Sequence, residues 1–380
     1  MRVAFIGQKG LPTITGGVER YVEDLTKQLV EAGHEVFAYT RPHYTDPKLT
    51  SYNGVNLISL PSINTKHLDA ISHTLLASIH ATTQNFDVIH YQSIGPALVC
   101  WLPKLLNRQV KIVATLQSRD YEHQKWGALA QWSLKLGEYL MCLFADEIVV
   151  VTEAMVRYVK EKYNRTATYI PNGANLYEPT GADLIAEWNL SPDSYIVAIS
   201  RLVRHKGLSY LVKAFKNLPT DKKLVIVGDS SYSDDYAEEL RALAASDDRI
   251  IFTGNQTGET LAQFYANAYL FVQPSESEGL SLALLEAMAR RRAVLVSDIT
   301  ENLSAVGNTG FVFATTNVAD LQAKLEYILA NPDMARAKGE EARTRIEQNF
   351  NWAVIGREMA KLYAETDRKA WIAASALEAR

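Results

Sequence analysis

The chain predicts an α/β protein built from two doubly wound parallel-sheet domains joined by a hinge. Apolar runs alternate with amphipathic stretches, breakers gather near mid-chain, and the same alternation restarts beyond them. The length of 380 residues suits two domains of ~100–200 residues each. Arg2–Ile6 is a short apolar run ending at Gly7 and reads as a buried strand. From Val18, apolar side chains at Tyr21, Val22, Leu25, Leu29 and Val30 make a helical stripe. Glu19, Glu23 and Asp24 fall in its first turns and Gly33 just past its end, as helix termini prefer. Further strands are expected at Val36–Tyr39, Val55–Leu60, Val88–Tyr91, Lys111–Leu116, Glu147–Val151 and Thr168–Ile170, with helices between most of them.

Breakers accumulate at Pro171-Asn172-Gly173 and on through Pro179, Gly181 and Pro192, which marks the hinge. Beyond it, strands are expected at Tyr195–Ser200, Leu224–Val227, Ile250–Phe252, Tyr269–Val272 and Ala293–Val296. Helices are expected at Leu208–Leu218, Ala237–Ala245, Thr260–Ala268 and Ser281–Arg291, and the tail from about Val318 is helical in pattern. Ligands in such sheets bind at the carboxyl ends of the strands, so the cleft between the domains is the default site.

Composition narrows the function. With 47% hydrophobic and 22% charged residues the chain is an ordinary globular one, not a disordered or collagen-like one. A net charge of −4 argues against a dedicated nucleic-acid binder. Cys100 and Cys142 cannot make a disulfide framework or a four-thiolate metal site, so a reducing cytoplasm is the expected compartment. Met1–Gly7 is too short for a signal-peptide apolar region, and no stretch reaches the ~18 apolar residues of a membrane span. Membrane contact, if any, is peripheral.

Three segments carry chemistry. Gly16-Gly17 precede a helix, where missing Cβ atoms let a phosphate approach free N–H groups; a merely steric turn is the even alternative. Ser200-Arg201 and Lys206-Gly207 flank a strand-to-helix loop, and Arg201 with Lys206 could clamp a diphosphate or be a solvated basic loop. Glu278 and Glu286 bracket the start of a helix, ~12 Å apart in rise if the segment is helical throughout. The amides between them offer an anion seat, and the two carboxylates can accept from hydroxyls. The bland reading makes Glu278 a helix-start acid and Glu286 an exposed one. Yet Glu286 sits among Leu284, Leu285, Ala287, Met288 and Ala289, which favours a cleft-facing carboxylate with a partner.

Glu278-x7-Glu286, in the context Ser-Glu-Gly-Leu-Ser-Leu-x-Leu-Leu-Glu-Ala-Met-Ala, resembles the signature of retaining GT-B glycosyltransferases of family 4. Ser200-Arg201-Leu202 with Lys206-Gly207, Gly16-Gly17 and Ile170-Pro-Asn-Gly173 are similar in kind and order. The opening Ile6-Gly-x-x-Gly10-x-Pro and the Lys125-Trp126-Gly127 tract look like a branch associated with rhamnosyl and other polysaccharide-building transferases.

The resemblance implies two Rossmann-like domains facing across a cleft. Residues 1–173 would form the acceptor side and 174–352 the nucleotide-sugar side, with a helix over 353–380 packing back on the first. It implies that Arg201 and Lys206 bind the donor diphosphate, Glu286 the ribose and Glu278 the sugar. Gly279, Leu280, Ser281 and Leu282 would supply backbone amides, while Gly16 and Gly17 close from the opposite domain. Glu278, Arg201 and Lys206 are the expected catalytic set. The implied reaction moves a glycosyl unit from a UDP-, GDP- or dTDP-linked donor to a saccharide or lipid-linked acceptor, with retention and with neither metal nor cofactor. It would take place in the cytoplasm or at the inner membrane face, without nucleic acid; the oligomeric state is not legible.

One departure stands out. Where the family places a His after strand Lys111–Leu116, this chain has Gln117, which can hydrogen-bond a sugar but cannot carry a proton. That leaves room for a non-catalytic nucleotide-sugar binder; a GT-B epimerase or phosphorylase is the other alternative. His90 and His123 read as structural. His67, His73 and His80 read as residues of a surface helix, with an acceptor groove as the sharper reading. The stripe Trp126, Leu129, Trp132, Leu136, Tyr139, Leu140 and Leu143 reads as core, with a lipid-facing patch as the alternative.

Overall fold

The computed structural model describes residues 1–380 apart from 15, 66–67, 108, 120, 122–126, 177–180, 231–233 and 366–380. His67, His123 and Trp126 lie outside the described residues. Among those described, the first sheet holds β1 (Arg2–Ile6), β2 (Glu35–Thr40), β3 (Ser51–Tyr52), β4 (Val55–Ser59), β5 (Val88–Gln92), β6 (Lys111–Leu116), β7 (Glu147–Val150) and β8 (Thr168–Tyr169). Their order is β3-β4-β2-β1-β5-β6-β7-β8, parallel except for β3 on β4. The helices are α1 (Gly17–Glu31), α2 (Asp69–Ala81), α3 (Trp101–Leu106), α4 (Ala128–Phe144) and α5 (Glu153–Tyr163).

The second sheet holds β9 (Tyr195–Ile199), β10 (Lys223–Val227), β11 (Ile250–Gly254), β12 (Leu270–Gln273), β13 (Ala293–Ser297) and β14 (Phe311–Phe313), in the order β11-β10-β9-β12-β13-β14. It is accompanied by α6 (Leu208–Lys216), α7 (Asp234–Ala244), α8 (Gly258–Ala266), α9 (Leu282–Ala289), α10 (Thr300–Val306), α11 (Val318–Ala330) and α12 (Pro332–Asn349). The strand order reverses between β1 and β5 in one sheet and between β9 and β12 in the other. At such switch points the loops leave in opposite directions and open a crevice. The strands read as apolar runs because both faces are covered: Val3 to Ile6, Ile196 to Ala198 and Val294 to Val296 are fully or almost fully buried.

The last helix, α13 (Trp352–Ala364), returns to the first domain and packs on α1. Trp352 lies 5.7 Å from the Tyr21 ring, and the Tyr363 hydroxyl meets His90 Nδ1 at 2.6 Å. A Cβ on Gly356 would fall 2.5 Å from Gln28 Cβ, so glycine is what lets the two helices close.

Two sequence expectations are corrected. His73 lies not on a helix surface but in the core, its Nε2 on the Thr40 carbonyl at 3.1 Å, and burial pushes its imidazole down to about 4. The α4 stripe is not core: Leu129 is 80% and Trp132 62% exposed, with Tyr139 and Leu143 about half exposed. Periodicity reveals an apolar face but not what covers it. His90 is structural, buried between Tyr363 and Thr115 and pushed down to about 3 by burial.

Candidate active site

The loops after β9 and β12 flank the second switch point, and glycine lets them touch. Gly207, at φ 67, caps the turn before α6, and a Cβ there would sit 1.9 Å from the Pro274 carbonyl oxygen. The loops are joined further where Glu276 N–H donates to the His205 carbonyl at 2.8 Å and Tyr210 Oη to Glu276 Oε1 at 2.9 Å. This brings Lys206 Nζ within 2.6 and 2.7 Å of the two Glu278 oxygens, and Ser275 Oγ donates to Oε1 at 2.7 Å. Both members of the pair are largely buried, so their attraction is weakly screened. Arg201 is exposed, and its guanidinium has no ion-pair partner among the described residues.

The segment from Glu278 to Glu286 is not helical throughout. Glu278, Gly279 and Leu280 form a loop; Ser281 caps α9, accepting from Leu284 N–H at 3.4 Å. Glu286 is 13% exposed, 3.4 Å from Nη1 of Arg290, the C-cap of its own helix, and 3.7 Å from Arg20 Nη2 on α1. It is therefore the partnered carboxylate that its apolar neighbourhood implied.

Arg20 is a contributor that sequence reading missed. It lies one turn past Gly16, and its N–H donates to the Gly16 carbonyl at 3.2 Å. Its Nε also holds Asp24 at 3.1 Å, and Asn175 donates to Asp24 at 3.0 Å. A chain of charges thus runs from α1 of one domain to α9 of the other. Burial raises the Asp24 carboxyl above its usual range, against the pull of Arg20. The available signal was an Arg in the first turns after a Gly-Gly helix start.

Gly16 has φ 109 and forms the N-cap of α1, and a Cβ on Gly17 would meet nothing within 4 Å. A carboxylate already lies beside this glycine pair: a Cβ on Gly16 would fall 2.0 Å from Glu19 Oε2, and Glu19 Oε1 accepts from Lys9 N–H at 3.0 Å. Two further contacts join the two domains. Asn172 Nδ2 donates to the Leu280 carbonyl at 2.7 Å, and a Cβ on Gly279 would lie 2.1 Å from the Gln117 carbonyl oxygen. Gln117 is buried, and its side-chain nitrogen has no partner among the described residues, which leaves a donor for a ligand hydroxyl. Contacts thus bring Gly279 to Gln117 and, through Arg20, Glu286 toward Gly16 across the two domains, while Lys206 meets Glu278 within the second and Arg201 makes no ion pair among the described residues. Among the described residues, no group of three or more His, Cys, Asp or Glu side chains is gathered to hold a metal.

Comparison with known proteins agrees with this architecture. Residues 15–178 match the family model Glycosyltransferase Family 4, and residues 183–345 match Glycosyl transferases group 1. The chain is 26% identical to alpha-maltose-1-phosphate synthase of Mycobacterium tuberculosis, over 96% of this chain and 99% of that one. Its fold is similar to sucrose-phosphate synthase from Thermosynechococcus elongatus, with TM-score 0.84, 25% identity and coverage of 98% and 99%. Anabaena HepE in complex with UDP-glucose matches in fold, with TM-score 0.80, 19% identity and coverage of 95% and 99%. With both family models in order along a two-sheet GT-B scaffold, the chain belongs to the family 4, group 1 glycosyltransferases.

Proposed function

We propose that the protein transfers a glycosyl unit from a nucleotide-sugar to a hydroxyl of a saccharide or lipid-linked acceptor, with anomeric configuration retained and no metal required. The observation that carries this reading is the Lys206–Glu278 pair, seated just before the N-terminus of α9, a helix whose Glu286 is met by Arg20 from α1 of the other domain. A bound diphosphate competes with Glu278 for Lys206, and Arg201 adds a second cation. As Lys206 turns to phosphate, Glu278 is released to accept from a sugar hydroxyl. Glu286 is suited to the ribose and Gln117 to the sugar.

The acceptor oxygen bonds to the anomeric carbon on the face from which the diphosphate leaves. The glycosidic C–O bond to phosphate breaks with its electron pair on phosphate, and the acceptor proton passes to that departing oxygen. Lys206, Arg201 and the helix amides stabilise the leaving charge, so the step needs neither a divalent cation nor a protein nucleophile. Anabaena HepE, which has been crystallised with UDP, with UDP-glucose and with UDP and glucose, supports a nucleotide-sugar donor. Within the family we favour the polysaccharide-building branch that includes rhamnosyl transfer, on the Ile6-Gly-x-x-Gly10-x-Pro opening; residues 125–126 of its second tract lie outside the described residues. NMR of the product formed from an α-linked donor tests the mechanism. An α product at an undiminished rate in excess EDTA is expected; a β product or loss of turnover in EDTA overturns it.

A lipid-linked acceptor is supported by one face of the first domain. Helices α2, α3 and α4 lie side by side. Their exposed positions include Leu75, Leu76 and Ile79, Leu105 and Leu106, and Leu129, Trp132, Tyr139 and Leu143, with Lys135 among them. No helix among the described residues is long and apolar enough to cross a membrane, so this face suits docking on a bilayer surface. In flotation with phosphatidylglycerol–phosphatidylcholine vesicles, the protein is expected to co-float. The Leu129→Ser, Trp132→Ser double variant is expected to lose at least about tenfold in binding; equal flotation of the two proteins would contradict the docking face.

A further inference from the structure

Behind the Glu278 loop runs a buried chain of hydrogen bonds that no sequence motif announces. Ser281 Oγ donates to Gln273 Oε1 at 2.6 Å, and Gln273 Nε2 donates to Asn302 Oδ1 at 2.6 Å. Asn302 Nδ2 donates to Ser297 Oγ at 2.9 Å, and Ser297 Oγ donates to the Ser275 carbonyl at 2.5 Å. Ser275 Oγ in turn donates to Glu278 Oε1. Gln273, Ser275, Ser297 and Asn302 are all buried.

The two ends of this chain are the two ends of one functional loop. Ser275 opens it and grips Glu278, while Ser281 closes it and caps α9. The four bonds from Ser281 to the Ser275 carbonyl all donate in the same direction and polarise one another in a low-dielectric interior, and the Ser275 backbone they hold carries the hydroxyl that grips Glu278. Asn302, on α10, is the hub that joins β12 to β13. It reaches 2.6 Å to one side and 2.9 Å to the other, and no shorter side chain spans that gap. Arg201, Lys206 and Glu286, the expected nucleotide contacts, lie outside the chain except through the Lys206–Glu278 pair.

We infer that Asn302 is a positioning residue that fixes Glu278 and the first amides of α9 in a single arrangement for the donor sugar. This rests on the donor-site reading above. Its consequence is a split: disturbing the chain misplaces the groups around the sugar while the nucleotide contacts persist.

Ser297→Ala and Asn302→Asp test it in the full-length chain. Asn302→Asp keeps shape and the bond from Gln273 but cannot donate to Ser297, while Ser297→Ala removes one hydroxyl and creates no buried charge. Calorimetry measures affinity for UDP, GDP, ADP and dTDP; turnover is followed as release of the nucleoside diphosphate, with water as the acceptor, from UDP-glucose, GDP-mannose, ADP-glucose and dTDP-rhamnose. Affinity for whichever nucleotide binds the wild type is expected to stay within about twofold, while kcat falls about ten- to a hundredfold, the cost of a misplacement near 1 Å. Ser297→Thr, which keeps the hydroxyl, is expected to recover most of the rate. Nucleotide affinity and kcat falling together, or kcat unchanged in both variants, would overturn the positioning role. A wild type that binds none of the nucleotides would remove the donor-site reading and this inference with it.

Discussion

Lys206→Ala is expected to lower turnover by about 10²–10³, the cost of removing one preorganised donor to a developing anion. The same change leaves Glu278, 9% exposed, with Ser275 but no cation, and is expected to cost on the order of 2 kcal/mol of stability. Lys206→Arg should not recover the rate. The Lys206 ammonium sits between both Glu278 oxygens as a compact point charge, and a planar guanidinium occupies a larger and differently shaped space. Steady-state kinetics and thermal unfolding measure both effects. Turnover within about threefold of wild type would remove Lys206 from the diphosphate site.

Gly279→Ala is expected to have the second large effect, for a steric reason. The new methyl would lie 2.1 Å from the Gln117 carbonyl oxygen, and backbone lies on both sides of the contact, so no side chain can swing away. The two domains must separate locally by about 1 Å or more, and kcat should fall by about 10² as donor and acceptor lose their alignment. Nucleotide affinity should largely survive, because Arg201, Lys206 and Glu286 all lie in the second domain. Gly17→Ala is the contrasting control. Its Cβ meets nothing within 4 Å, so thermal stability should match wild type and any lost activity reports on the ligand rather than the fold. Full activity in Gly279→Ala would show that the contact with Gln117 is not part of the working cleft.

Much of this was legible in the sequence. Both doubly wound halves followed from strand–helix alternation, because parallel strands buried on two faces must be apolar runs. The expected helix start at Ser281 and the partnered carboxylate at Glu286, read from its apolar surround, are both present; the Ser281 side-chain cap is a further finding of the structure. The short strands β3 and β14 and the seven-residue α10 were missed, being too brief to show a period.

Relations across the cleft were not legible either. The approach of Gly279 to Gln117 and the reach of Arg20 to Glu286 join residues more than 150 positions apart, and neither leaves a local pattern. The same limit misread α4. Its stripe at Leu129, Trp132, Tyr139 and Leu143 has the spacing of a packed face, but no element covers those positions among the described residues.

The central claim is that a nucleotide-sugar sits in this cleft with its diphosphate on Arg201 and Lys206 and its ribose on Glu286. Calorimetry with UDP, GDP, ADP and dTDP, on wild type beside Arg201→Ala and Glu286→Ala, tests it most directly. Binding of one nucleotide that each variant weakens by at least about tenfold, with folding intact, is the expected result. Failure of all four to bind the folded wild type, or binding that both variants retain in full, would contradict it.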